Sequence, residues 1–104
     1  MINATDMYGN TALILAAANG HTTTAEKLIQ AKANVNHASN DGVTALHYAA
    51  CNGHAAVADL LLKANANPTA VDNDGDTPAQ LAEQCGHPEL AQRLRQAAAS
   101  VADK

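Results

Sequence analysis

Glycine returns in this chain at a fixed interval. Gly9, Gly42 and Gly75 stand 33 residues apart (42 − 9 and 75 − 42), and Gly20, Gly53 and Gly86 keep the same step. Thr11, Thr44 and Thr77 share that register, as do His21, His54 and His87, and Leu28, Leu61 and Leu94. Five columns held over three copies argue against a fold wrapped around one central core. A period of this length marks a supersecondary unit that cannot bury its apolar face alone and stacks on copies of itself. A chain of 104 residues has room for three such units.

The middle copy, Asp41 to Asn67, reads DGVTALHYAACNGHAAVADLLLKANAN. With T-A-L-H at Thr44 to His47, G-H at Gly53 and His54, and the run Leu60-Leu61-Leu62, it resembles the ankyrin repeat. The resemblance covers roughly Thr5 to Ala99. It implies an all-α solenoid of three stacked helix-turn-helix units with β-hairpin-like turns. The whole chain, 1–104, is then a single ankyrin-repeat domain. Its repeats run from about 6–38, 39–71 and 72–99, with a short lead before residue 6 and a frayed tail at 100–104.

Local signals place the helices. Thr11 can cap a helix over Ala12 to Ala18, its hydroxyl accepting an otherwise unpaired backbone N–H. Asn19-Gly20 ends that helix with residues tolerant of the left-handed conformation. A second helix is expected over about Thr23 to Ala31, with Ala25, Leu28 and Ile29 at inward spacing. The second pair is Ala45 to Cys51 and Ala55 to Lys63. Thr77-Pro78-Ala79-Gln80 puts Thr at the N-cap, Pro at the first helical position and Gln at the third. The last helix begins at Pro88 and runs to about Ala99. The resembled family usually has glycine where Lys32 and Asn65 stand. A left-handed conformation at Lys32 costs on the order of 1 kcal/mol, so that loop is expected to differ locally.

The contents of the helices set the shape. Hydrophobic residues make up 47% of the chain, but many are alanine and there is no Phe or Trp. First helices carry Ala16-Ala17, Ala49-Ala50 and Ala82, whereas second helices carry Leu28, Leu60 to Leu62, Leu90 and Leu94. Small residues let an inner row of helices close up while bulky ones hold the outer row apart. The stack is expected to bend, concave on the side of the first helices and turn tips. Lys27, Leu60 and Arg93 are equivalent, as are Ile29, Leu62 and Arg95. Charge thus falls where a terminal unit meets water and leucine where a unit is sandwiched.

Five histidines suggest zinc, but the ladder His21, His54, His87 is too widely spaced. Stacked helix pairs lie about 8–10 Å apart, whereas two nitrogens on one zinc lie within about 4 Å of each other. These histidines are instead read as bonding backbone groups at the inter-helix turn. His47 is the T-x-L-H histidine, which the resemblance ties to Thr44 and nearby backbone. Ile14 and Gln80 replace it in the other copies and should weaken that network there. His37 reads as plain surface.

His47 and Cys51, four apart on one helix, are placed to touch and form the seed of a nucleophile. No acid or oxyanion-hole signature accompanies them, so no catalytic residue and no enzyme activity is expected. Two cysteines suggest no disulfide framework. Cys51 and Cys85 sit one residue out of register in adjacent units and are expected as thiols on the inner surface, with a disulfide as the alternative should their Cα atoms lie within about 7 Å. Asp72, Asp74, Asp76 and Glu83 fall at positions 1, 3, 5 and 12 of a calcium-loop pattern. Thr77 occupies the position that needs glycine, and Pro78 to Ala82 read as helix. No metal and no cofactor are therefore expected.

What remains is the surface that the repeat does not dictate. The resemblance implies partner contacts from turn tips and from exposed positions of the first helices. In the first copy these are Met7, Tyr8, Asn10, Ala18 and Asn19. In the second they are Asn40, Asp41, Val43, Cys51 and Asn52, and in the third Asn73, Asp74, Asp76, Gln84 and Cys85. The row grades from apolar and aromatic to acidic, with Met7 and Tyr8 as anchors. The net charge of −4 and pI near 5.6 argue against binding a phosphate backbone or an anionic membrane surface. The expected function is a non-enzymatic protein–protein interaction module, monomeric and cytoplasmic, with a partner bearing a basic patch. The alternatives are a structural or regulatory segment of a larger ankyrin-containing protein, and calcium or small-ligand binding at the Asp72–Glu83 loop.

Overall fold

Each threonine of the capping column starts a helix. The hydroxyls of Thr11, Thr44 and Thr77 accept from the backbone N–H of Ile14, His47 and Gln80, all at 3.3 Å. The computed structural model describes residues 2–102, and in them six helices follow in three pairs. The first pair is α1 (Ala12–Asn19) and α2 (Thr22–Gln30), and the second α3 (Ala45–Cys51) and α4 (Ala55–Lys63). The third is α5 (Pro78–Gln84) and α6 (Pro88–Ala102). Met1, in the expected lead, and residues 103 and 104, in the expected tail, lie outside the described residues. The last helix itself runs on to Ala102 rather than stopping near Ala99.

No strand occurs among the described residues. The turn before each pair is instead closed by two backbone bonds, one of them from Gly9, Gly42 and Gly75 N–H to Asp6, Ser39 and Asp72 O at 2.9–3.0 Å. Asp6 N–H donates to Asn10 O at 3.0 Å, Ser39 N–H to Val43 O at 2.9 Å, and Asp72 N–H to Asp76 O at 3.0 Å.

The loop at Lys32 does not differ from its equivalent. Lys32 adopts φ +72° and Asn65 φ +71°, and their N–H groups donate to Ile29 O and Leu62 O at 3.0 Å. The stacked geometry imposes the left-handed residue whether or not the side chain suits it.

The alanines of the inner row are buried as their size suggests. Ala16, Ala17, Ala49, Ala50 and Ala82 are all in the core, with Leu13, Leu46, Leu61 and Leu94 filling the space behind them. Helix α3 packs densely on both α1 and α5, whereas α2 touches α4 more sparsely. Helices with methyl side chains approach closely, so the inner row is the tighter one. The stack measures 33 × 26 × 26 Å, so three units give a face little longer than it is wide.

Candidate protein-docking surface

The seams between repeats decide which polar groups are left for a partner. At the turn tips, Asn40 N–H donates to Tyr8 O and Asn73 N–H to Asp41 O, both at 2.9 Å. The side chains of the same two asparagines reach back one residue further. Asn40 Nδ2 donates to Met7 O at 3.1 Å and Asn73 Nδ2 to Asn40 O at 3.3 Å. On the opposite loops, Asn3 Oδ1 accepts from Asn34 N–H at 2.9 Å and Asn36 Oδ1 from Asn67 N–H at 2.7 Å. Sequence reasoning passed over this second ladder, although the recurrence of Asn34 at Asn67 and of Asn3 at Asn36 was its signal.

The histidines divide by chemistry in a way the sequence reading did not anticipate. His47 is fully buried. Thr44 N–H donates to its Nδ1 at 3.1 Å, which puts the ring proton on Nε2, and Nε2–H donates to Asp76 O at 2.9 Å. It therefore ties the second repeat to the third as well as closing its own capping box. Gln80 rebuilds half of that network, its Oε1 accepting from Thr77 N–H at 2.8 Å. Ile14 rebuilds none of it. His37 is not plain surface: it is half-buried, and its Nε2–H donates to Gly9 O at 3.0 Å.

The ladder histidines bond the turn through their backbone, not through their rings. His21, His54 and His87 N–H groups donate to Ala16 O, Ala49 O and Ala82 O at 2.8–2.9 Å. No side-chain cap bond forms at His21 or His54. Two of the rings lie instead against the glycine of the preceding repeat. A Cβ built on Gly20 would come within 2.6 Å of His54 Nδ1, and one on Gly53 within 2.6 Å of His87 Cε1. Gly86 faces open space. Glycine is needed at the first two positions for close approach as well as for positive φ.

Cys51 and Cys85 are not free thiols but a disulfide, with Cα atoms 5.4 Å apart. The one-residue offset is what brings them together. Equivalent positions in the first seam are Ala18 and Asn52, and there Asn52 Nδ2 donates to Ala18 O at 2.7 Å. The residue after α3 and the residue after α5 thus each lean over the end of the inner helix before them. With Cys51 so paired and both nitrogens of His47 occupied, no thiolate–imidazole pair exists.

The acidic tip is partly assembled. Carboxylate oxygens of Asp72, Asp74 and Asp76 come within 4.8 Å of one another. Asp72 Oδ1, however, accepts from Asp74 N–H at 3.0 Å and Asp76 N–H at 2.9 Å, which builds the turn itself. Glu83 pairs with Arg95 rather than joining the cluster. Three carboxylates without the twelfth-position Glu fall short of the six to eight oxygens calcium takes.

Of the contact row, Asn40, Asn52 and Asn73 have their amide nitrogens committed to seams. Asn19 Nδ2 is turned back to Leu15 O at 2.9 Å, and Asn10 Nδ2 to Asp6 Oδ2 at 3.5 Å. Gln84 donates to Asp76 Oδ1 at 3.3 Å. Ala18 and Val43 are half-buried. Met7 and Tyr8 stand 80% and 65% exposed, with Asp41 and Asp74 also open to solvent. Two further exposed apolar side chains, Leu15 and Val71, were missed. Their equivalents Tyr48 and Leu81 for the first, and Ala38 for the second, gave no hint of a patch.

A family model described as ankyrin repeats (3 copies) matches residues 1–72. No curated protein matches the chain. The third helix pair lies beyond the matched residues but repeats the caps, turn bonds and ring-on-glycine contact of the second. Helix pairs stacked through these turns, on a sequence matched over more than half its length, place the chain in the ankyrin repeat family, whose members are in general protein–protein interaction modules.

Proposed function

We propose that this chain is a non-enzymatic docking module that binds a protein along its turn tips and the exposed side of α1, α3 and α5. The observation that carries the reading is the exposure of Met7 and Tyr8 on a turn whose backbone is already fixed. Asp6 Oδ1 accepts from Tyr8 N–H and Asn10 N–H at 2.9 Å, and Asn40 holds the Tyr8 and Met7 carbonyls from the next repeat. An aromatic and a thioether held out on a rigid turn lose little entropy when buried by a partner. Asp41, Asp74 and Asp76 give the other end a negative field that favours a partner with a basic patch. The same field disfavours nucleic acid and anionic membrane. The denser inner row supports a concave face there. We take the module to act as a monomer in the cytoplasm, whether alone or as a segment of a larger ankyrin-containing protein.

Affinity capture from cell extract tests the reading. Proteins retained by the wild-type chain should be lost from a Met7→Ala/Tyr8→Ala double variant. They should be kept by Gln30→Ala/Gln92→Ala, which alters exposed positions of the outer helices. A captured set that ignores the first pair and follows the second moves the docking face to the outer helices and ends this proposal.

A further inference from the structure

The two seams carry different chemistry at one equivalent pair of positions. Between repeats one and two, Asn52 donates a hydrogen bond to Ala18 O. Between repeats two and three, Cys85 stands where Asn52 does and is bonded to Cys51. The Asn turn bonds and the ring on glycine recur in both, whereas the Asn36–Asn67 loop bond belongs to the first seam and the His47–Asp76 bond and the Arg93–Asp59 pair belong to the second. One seam is thus closed at this point by a bond indifferent to redox conditions and the other by a bond that depends on them. Cys85 is exposed and Cys51 half-buried, so the pair is open to exchange from solvent. Both flank Asn52 and Gln84, on the face assigned above to the partner.

We propose that Cys51 and Cys85 are a thiol–disulfide switch that sets how firmly the third repeat is docked, and through it the acidic end of the partner surface. The co-reactant is a low-molecular-weight thiol/disulfide couple of the glutathione type. In the oxidising direction the exposed Cys85 thiolate attacks one sulfur of the small disulfide, forming a mixed disulfide and expelling one small thiolate. The Cys51 thiolate then attacks Cys85 Sγ, closes the Cys51–Cys85 bond and expels the second. Two electrons pass from the protein dithiol to the small disulfide, and the two protons released by the cysteines are taken up by the departing thiolates. Two small thiols reverse the sequence. A disulfide in a reducing compartment is characteristically of this responsive kind.

Reduction leaves the third repeat held by its hydrogen bonds, its glycine contact and the Arg93–Asp59 pair. Among the described residues the third repeat stacks on the second alone, so losing a cross-link there acts on its local opening. The regulatory claim rests on the docking reading, but the switch itself is measurable without a partner. Amide hydrogen exchange is followed across α5 and α6 in buffers of increasing thiol-to-disulfide ratio. On reduction, exchange at Leu81, Ala91 and Leu94 should accelerate on the order of 100-fold, while α1 stays unchanged. Cys85→Asn, which restores the bond used in the first seam, should show no redox response. Cys85→Ser should exchange like the reduced wild type whatever the buffer. Equal exchange in both buffers, or a response that survives in Cys85→Asn, overturns the switch. If exchange responds as described but capture of partners does not, the coupling to the partner surface fails and the switch stands. If Met7→Ala/Tyr8→Ala leaves capture intact, the docking reading fails by itself.

Discussion

Gly53 and Gly86 occupy the same place in consecutive repeats, with φ of +74° and +88°. Substituting alanine at either forces a side chain into the left-handed region, at a cost of about 1 kcal/mol. Only at Gly53 does the new methyl also meet a neighbour. It would lie 2.6–2.9 Å from three atoms of the His87 ring, whereas at Gly86 nothing lies within 4 Å. Forcing a methyl against a packed ring adds about 1–3 kcal/mol. Gly86→Ala should therefore lower stability by about 1 kcal/mol and Gly53→Ala by about 2–4 kcal/mol, read as urea midpoint shifts at unchanged slope. In a His87→Ala background the excess should vanish and leave about 1 kcal/mol for Gly53→Ala. The double-mutant cycle then reports a coupling of about 1–3 kcal/mol. If Gly53→Ala and Gly86→Ala cost the same, or the cost survives the loss of the ring, the ladder histidines do not pack the seams. Gly20 and His54 offer a repeat of the experiment at the first seam.

Removing His47 by alanine strands Thr44 N–H and Asp76 O in a buried seam, and a loss of about 3–5 kcal/mol is expected in the same urea assay. His47→Gln should recover part of it, since Gln80 already closes the equivalent capping box, but not the bond to the third repeat. Lys32→Gly should stabilise the chain by about 1 kcal/mol, because Lys32 sits at φ +72°, and Asn65→Gly should gain less because Asn tolerates that region. The Asp6 carboxyl is held below its ordinary value of 3.8, chiefly by the backbone N–H of Asn10 and then by that of Tyr8. A lowered folded-state value means its support for the first turn is full above the ordinary value and is lost as pH falls through the folded one. Amide exchange at Tyr8 and Asn10 should accelerate below that value in the wild type and show no such step in Asp6→Asn.

The fold was legible because stacking repeats the same demands every 33 residues. Threonine caps, glycine ends and alanine-rich first helices each appear three times, so one ambiguous copy is corrected by the others. Helix boundaries came within about a residue for the first four helices, and the fifth starts at Pro78 as its Thr-Pro start signal implied. The seams were less legible, for a physical reason. A seam contact joins residues 28–34 apart through offsets that depend on the lateral stagger of two units, and a column-by-column reading holds that stagger at zero. Cys51 to Cys85, Ala18 to Asn52 and His37 to Gly9 all lie off the column. His37 was taken for surface, and the ladder rings were assigned hydrogen bonds, because the residue type was visible and its neighbour was not. Exposure at the tips could be guessed at Met7 and Tyr8, since a lone aromatic on a tight turn has little to pack on. Leu15 could not, because Tyr48 and Leu81 are half-buried at the same position.

The difference between the seams bears on how such a module divides its work. Stability in a stack is nearly a sum of repeat and neighbour terms, so a bond confined to one seam changes one docking equilibrium and little else. The Met7–Tyr8 tip is held through the first seam, by Asn40 and by the Asp6 carboxylate, neither of which responds to redox conditions. The acidic tip at Asp72 to Asp76 belongs to the repeat that the Cys51–Cys85 bond secures. Apolar anchors supply most of the energy of an interface, whereas a charged rim chiefly sets orientation and association rate. On the docking surface proposed above, a covalent bond at the second seam would therefore act on the part proposed to select the partner and spare the part proposed to grip it. The same bond placed between Ala18 and Asn52 would put the proposed anchors under redox control instead.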